Sequence, residues 1–263
     1  MHNNIVDYYN HQDEDNRLIS RHGQVEFLTT MRYIEKYLYP GARVIEIGAA
    51  TGRYSHAIAK QGYMVDAVEL VPYNIEIFQK NTIPGETVTI QQGDARNLSM
   101  FADNTYDNTL LLGPLYHLYT LKDKQQVIGE ALRVTKPGGI VSAAYCLSDA
   151  TIIEMGFKQK SLSITEYMRL GKIDPVTWKT HSEPEDIFEL IRCEDIDEIM
   201  RPFTVTRLHL ISTDLYTNHM RDIVDSMDDE AFAIYLNYHF AVCERQDMIG
   251  LSHHCLDVFR KSW

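Results

Sequence analysis

The chain has 263 residues, of which 44% are hydrophobic and 24% charged, enough apolar side chain to bury a core and too much for global disorder. Its 25 Lys and Arg face 37 Asp and Glu, a formal net charge of −12, and no basic cluster offsets that excess. A surface that tracks nucleic-acid phosphates or an anionic membrane is therefore not expected. The longest apolar run, Leu110–Leu112 with Leu115, is broken by Gly113 and Pro114 and falls far short of the roughly 20 residues of a membrane-spanning helix. Met1-His2-Asn3-Asn4 lacks the basic-then-apolar pattern of a secretion signal, which predicts a cytoplasmic protein. Four scattered cysteines (Cys146, Cys193, Cys243, Cys255) without a CxxC pair then predict reduced thiols.

In chain order, a polar and aromatic opening holds Tyr8-Tyr9 and the acidic run Asp13-Glu14-Asp15. Phe27, Met31, Ile34 and Leu38 share one helical face, predicting a helix from about Gln24 to Tyr39 that Pro40-Gly41 ends. From Arg43 the rhythm alternates. Strands are predicted at Arg43–Ile47, Met64–Leu70, Thr87–Gln91, Tyr106–Leu112 and Ile140–Cys146. Helices are predicted at Arg53–Lys60, from Pro72 onward and at Lys124–Val134, with Lys136–Gly139 as a turn. Such alternation predicts a parallel α/β sheet with right-handed crossovers. Residues 148–200 then read as mostly helical. Strands at Thr204–Ile211 and Cys255–Arg260, with helices near 214–226 and 229–243 between them, close one edge.

The segment Val44-Ile45-Glu46-Ile47-Gly48-Ala49-Ala50-Thr51-Gly52-Arg53 runs from a strand through small residues into a helix. In an open α/β sheet that turn lies where ligands bind, and small residues let a ligand approach the backbone. It is not a GxGxxG dinucleotide fingerprint, because Arg53 stands at the third glycine, and it is not a P-loop. An acid precedes the first glycine and another, Glu69, ends the second strand, where a carboxylate can accept ribose hydroxyls.

These residues resemble motif I of the class I S-adenosylmethionine-dependent methyltransferases, (D/E)-x-G-x-G-x-G, with Ala50 at the middle glycine. Further matches follow in order: Glu69, Gly93-Asp94-Ala95, Tyr106-Asp107 with Leu112-Gly113-Pro114-Leu115-Tyr116-His117, and Leu132–Gly139. The resemblance covers about residues 24–146. It implies a Rossmann-like, doubly wound, seven-stranded sheet, mostly parallel with an antiparallel C-terminal strand and helical cap insertions. One methyltransferase domain would fill residues 1–263: a lid and helix over 1–40, a donor-binding core over 41–147, and helical caps over 148–203 and 213–250. It also implies S-adenosylmethionine as donor and S-adenosylhomocysteine as product. Glu46, Gly48, Ala49, Ala50, Gly52, Glu69, Leu70, Asp94, Ala95, Leu112 and Gly113 would then bind the donor. Without the resemblance, Gly48 and Gly52 make a tight turn, and Asp94 caps the turn that follows it.

His117, just past the fourth strand, is the candidate general base, with a packed helix-start histidine as the alternative. Tyr8, Tyr9, Arg17, His22 and Tyr116 are candidate lid or substrate residues. His239 and Cys243 fall on one helical face near His253, His254 and Cys255, but no second CxxC or HxxxH completes a tetrahedral zinc site, so no metal is expected. The Tyr-rich stretch 235–240 reads as a buried helix face. The NPPY-type tetrapeptide of many amide-nitrogen methylators is absent after strand four. These features point to a small-molecule acceptor, with no nucleic acid and no membrane partner, and leave the methylated atom and the oligomeric state open. A methyltransferase of protein or RNA and a non-catalytic donor-binding module stand as alternatives.

Overall fold

A computed structural model describes residues 2–262; Met1 and Trp263, at the ends of the expected 1–263 domain, lie outside it. A short helix α1 (His2–Tyr9) and a 3₁₀ turn (Glu14–Asn16) precede α2 (Arg21–Glu35), whose N-cap Ser20 accepts a hydrogen bond from Gly23 N. Capping by Ser20 moves the start three residues ahead of the periodic reading, and the chain leaves the helix before Pro40. The alternating core follows: β1 (Arg43–Ile47), α3 (Arg53–Lys60), β2 (Met64–Glu69), α4 (Pro72–Asn81), β3 (Val88–Gln92), β4 (Tyr106–Leu111), α5 (Leu121–Val134) and β5 (Thr135–Leu147). Pro72 sits in the first turn of α4, and Thr120 caps α5 by accepting from Asp123 N.

The region expected to be mostly helical differs. It holds α6 (Ser148–Thr151), a π-helical stretch (Ile152–Lys158), α7 (Ile164–Arg169), a long irregular passage, the two-residue strand β6 (Leu190–Ile191) and α8 (Cys193–Met200). Then come β7 (Val205–Ser212), α9 (Arg221–Asp225), α10 (Asp229–Val242) and β8 (His254–Lys261).

The strands form one sheet in the order β3-β2-β1-β4-β5-β8-β7, with β6 pairing parallel to the end of β5. The count is eight rather than seven because of β6. The pairings among β1 to β5 are parallel, and β8 is antiparallel to both β5 and β7, the expected reversal. The Lys136–Gly139 turn is absorbed into a bulged entry to β5, with Gly138 at φ +77°.

Alternation along the strands loads both faces. Ile45, Ile47, Leu111 and Val141 pack with Val127, Ile128 and Ala131 of α5. Val44 and Leu110 pack on the other face with Met31, Ile34 and Ile58 of α2 and α3. Each buried Val, Leu, Ile or Met side chain among them contributes about 1.5–3 kcal/mol. The order reverses between β1 and β4, and there the carboxyl ends of β1, β2 and β4 open onto a cleft.

Candidate functional site

The cleft measures about 1080 Å³ including its open mouth. Its walls come from the loop after β1, the end of β2, the Gly93–Arg96 turn, the loop after β4, and the N-terminal segment.

Backbone geometry makes the room. Gly48 has φ +76°, and a Cβ there would stand 2.6 Å from Cδ of Pro114. Gly52, the N-cap of α3, has φ +90°, and a Cβ there would strike the Phe78 ring. Gly48 N and Ala49 N donate to Val68 O at 2.8 and 3.1 Å, tying the loop to the end of β2. Ala50 has φ +46°, so the residue at the middle-glycine position is held in the left-handed region despite its Cβ.

Glu69 is buried at the lip of the cleft. Its Oε2 accepts from Ala50 N (2.9 Å), and its Oε1 from Val71 N (2.9 Å) and Asn74 Nδ2 (3.3 Å). Burial raises its pKa, and these N–H donors oppose the rise. The carboxylate keeps acceptor capacity beyond three bonds. Beside it Asn74 Oδ1 is buried with no partner, an orphaned acceptor facing the same cleft. Two adjacent acceptors, one unsatisfied, fit a vicinal diol. The sequence reading missed Asn74, whose signal is its place in the first turn after the acid-ended strand.

Glu46 is buried and accepts from Ser55 N at 2.9 Å and from the Ser55 hydroxyl, so it braces the start of α3 under the glycine loop. Burial pushes its pKa up to about 8. Asp94 accepts from Arg96 N at 2.9 Å, closing the turn after β3, and forks with the Arg96 guanidinium. Its local turn role is thus visible, while Asp94 and Ala95 also line the cleft. Leu70, Leu112 and Gly113 line it as well.

The N-terminal segment completes the wall with Ile5, Tyr9, Glu14, Arg17 and Leu18. The Tyr9 hydroxyl lies 2.9 Å from His117 Nε2, and His117 Nδ1 lies 2.9 Å from Ile187 O. A carbonyl only accepts, so Nδ1 carries the proton, Nε2 is the basic nitrogen, and Tyr9 donates to it. Burial lowers the His117 pKa to about 4. His117 is therefore packed, and it lines the cleft with its imidazole neutral. Tyr8, Tyr9, Tyr116, His117 and Phe188 form a chain of ring contacts with centroids 4.9–5.9 Å apart. The Tyr116 hydroxyl donates to Leu112 O. Tyr8 lies behind this wall rather than in it. His22 stands apart from the cleft: its ring and backbone N–H bind Asp225, fastening α2 to α9.

Arg17 fastens the N-terminal segment. Its guanidinium forks onto Glu26 (2.9 and 3.1 Å) and reaches Glu14. Glu26, Asp214 and His254 bring their ligand-capable atoms within 4.8 Å of one another. Asp214 accepts from His253 N, Asn218 Nδ2, His254 Nδ1 and Ser252 Oγ, so donors fill its lone pairs. Burial alone would lower the His254 pKa; Glu26 and Asp214 outweigh it and raise it well above 6.5. Two carboxylates balanced by Arg17 and a protonated His254 make an ion-pair ladder, which has no demand for a cation. Of the other residues named as ligand candidates, His253 joins it through its backbone N–H, His239 is buried with both ring nitrogens unpartnered, and Cys243 contacts the Tyr33 hydroxyl.

Among described residues, no helix is long and apolar enough to cross a membrane. A family described as "Methyltransferase domain" matches residues 45–143. The chain is 32% identical over 108 residues to 2-methyl-6-phytyl-1,4-hydroquinone methyltransferase of Synechocystis, covering 41% of this chain and 33% of that protein. It is 30% identical over 128 residues to ubiquinone biosynthesis O-methyltransferase of Methylocella silvestris, covering 48% of each. An uncharacterized protein of Mycobacterium tuberculosis is 31% identical over 104 residues, 39% of this chain and 36% of that protein. The chain thus spans a third to a half of these relatives. Among solved structures, a protein of Pyrococcus horikoshii superposes with TM-score 0.63 at 16% identity, covering 97% of this chain and 99% of that one. Phosphoethanolamine N-methyltransferase 1 of Haemonchus contortus, solved with phosphoethanolamine and S-adenosylhomocysteine, gives 0.62 at 13%, covering 97% and 47%. The [4+2]-cyclase SpnF gives 0.57 at 16%, covering 90% and 81%. These likenesses are of fold, and a fold alone does not fix the chemistry.

Proposed function

The chain carries a class I S-adenosylmethionine-dependent methyltransferase domain, with S-adenosylmethionine as its donor, and from that premise we propose that it methylates a small organic acceptor. When bound, the donor supplies an electrophilic methyl carbon on a sulfonium. The observation that carries the reading is one cleft lined both by the Glu69–Asn74 acceptors and by the Tyr9–His117 pair.

In this reading Glu69 and Asn74 Oδ1 hold the ribose, and the Gly93–Ala95 turn holds the adenine. The Gly48–Gly52 loop leaves space for the amino-acid end, over Glu46. In the same cleft His117 takes the acceptor's proton on Nε2, the nitrogen that Tyr9 now caps. Tyr9 and Tyr116 offer ring faces near the cationic end of the donor. The lid, pinned by Arg17 to Glu26, keeps water from the reacting atoms. An aromatic wall of this kind suits a planar, largely apolar acceptor, in keeping with the hydroquinone in the name of one relative and the ubiquinone biosynthesis in that of another. The net charge of −12 argues against nucleic acid.

The test is calorimetric titration with S-adenosylhomocysteine, followed by a turnover screen of small phenols, amines and thiols. Stoichiometric binding at about micromolar strength is expected. Folded, ligand-free protein that binds nothing would overturn the proposal.

A further inference from the structure

Which nitrogen of His117 carries the proton is decided on one side of the ring. Nε2 faces the Tyr9 hydroxyl, which can donate or accept, whereas Nδ1 faces the Ile187 carbonyl oxygen, which can only accept. The same carbonyl accepts from the Tyr119 hydroxyl at 2.6 Å. Whatever holds that carbonyl in place therefore sets which nitrogen is basic.

The backbone there is strained. Ile187 has φ +65° and ψ −50°, and Phe188 N donates to Asp186 O at 2.8 Å across it. This is the γ-turn of the rarer hand, unfavourable for a residue with a side chain and more so for a β-branched one. Such a turn persists only where its surroundings hold it. Two ion pairs bracket it. On one side Lys172 pairs with Asp186, whose carboxylate also accepts from Glu183 N at 2.8 Å. On the other, Lys124 of α5 pairs with Glu189, both side chains largely buried. Glu189 N donates to the carbonyl of Tyr116, the residue before His117, at 2.7 Å. Burial raises the Glu189 pKa, and Lys124 opposes the rise. Taking a lysine and a glutamate out of water costs about as much as their attraction returns. The pair thus adds little net stability, and its consequence lies in where it holds the turn.

We propose that Lys124 and Glu189 are positioning residues, holding the Ile187 turn so that its carbonyl keeps the His117 proton on Nδ1 and the lone pair on Nε2. This rests on His117 acting as the base, and it names two groups outside the cleft wall that prepare it.

The test is nitrogen–proton correlation NMR of the imidazole rings in the full chain at about pH 7, with His117 assigned by its loss in His117→Gln. Wild type should show one neutral tautomer, protonated on Nδ1. The Lys124→Met, Glu189→Gln double variant removes both charges and leaves neither buried alone. It should fold and show a mixture that includes the form protonated on Nε2. On an acceptor found in the turnover screen its kcat should fall roughly two- to tenfold, tracking the share of that form, with S-adenosylhomocysteine affinity within about twofold of wild type. Tyr119→Phe removes a single hydroxyl, so it reads the same anchor even if the double variant does not fold. It should shift the ring in the same direction to a smaller extent. Wild-type His117 protonated on Nε2, or variants that keep the Nδ1 form alone, would overturn the inference. Mixed tautomers in the variants beside full activity in His117→Ala would support the anchoring of the ring and remove the base from the proposed function instead.

Discussion

The Tyr9 phenol and the His117 imidazole meet at 2.9 Å although 108 positions separate them in the chain. One belongs to the first helix and the other to the turn after the fourth strand, so their contact ties the N-terminal segment to the end of the sheet. Because Nδ1 is held by Ile187 O, the nitrogen that Tyr9 caps is the one free to take a proton. His117→Ala should lower kcat by about 10²- to 10⁴-fold, the usual worth of a positioned base, with S-adenosylhomocysteine affinity within about twofold of wild type. Tyr9→Phe, which keeps the ring and removes the hydroxyl, should cost less. Steady-state kinetics checks both, and full activity in His117→Ala would remove the base from the mechanism.

The same residue sets a pH expectation. With its pKa lowered to about 4 by burial, the His117 imidazole is neutral throughout the physiological range. Rate should therefore show no imidazole titration between about pH 5 and 8, and should fall only as acid approaches the lowered pKa. An NMR titration of the His117 ring that gave an ordinary midpoint near 6.5 would refute this.

At the donor end, Glu69→Ala should weaken S-adenosylhomocysteine binding by roughly 2–4 kcal/mol, the loss of two charge-assisted bonds, and Asn74→Ala by about 1 kcal/mol. Because Glu69 also receives Ala50 N and Val71 N, part of the larger loss comes from the loop itself. Asn74 touches the loop only through its bond to Glu69. Calorimetry on the Asn74 variant therefore reads the ligand contact together with that one bond, and unchanged affinity there would remove Asn74 from the site.

What the sequence made legible follows from physical signals of different strength. Strands β1 to β5 were readable to within a residue or two at most ends because β-branched runs end at glycine or a capping residue; the entry to β5 was not. Gly48 and Gly52 were readable because left-handed backbone next to Pro114 and Phe78 excludes a side chain. In the stretch from 148 to 200, read as mostly helical, the helical segments are there but β6 was missed, because a two-residue strand has no period. Ile187 could not be found at all. It acts through its carbonyl oxygen, which every residue possesses, from a backbone at φ +65°. Phe188, which joins the ring chain, follows from that same turn.

Glu46 links the loop to stability. Burial raises its pKa from 4.5 to about 8, against the help of Ser55. Between those values the native state keeps a proton that the unfolded chain has released. Stability should therefore fall as pH rises from about 4.5 to about 8, and level off above that. Glu46→Gln removes the titration. Its stability relative to wild type should grow by up to a few kcal/mol between pH 5 and 8, at about 1.4 kcal/mol per pKa unit. Urea unfolding of both proteins at the two pH values reads the difference directly, and a pH-independent difference would contradict the raised pKa.

The loop itself gives opposite expectations at two neighbouring positions. Gly48 is at φ +76°, and a Cβ there meets Pro114, so Gly48→Ala combines left-handed strain with a steric clash. It should destabilise by about 3 kcal/mol and narrow the cleft where Gly113 passes the Gly48 carbonyl. Ala50 already bears left-handed strain at φ +46°. Ala50→Gly relieves roughly 1–2 kcal/mol of it and gives back about 0.5–1 kcal/mol in unfolded-chain entropy. The net change should be stabilising by up to about 1 kcal/mol. Thermal unfolding separates the two effects by sign. If Ala50→Gly destabilised the fold, the strain at φ +46° would have to be offset by contacts of the Ala50 methyl group, and the backbone of the loop would not be what sets its shape.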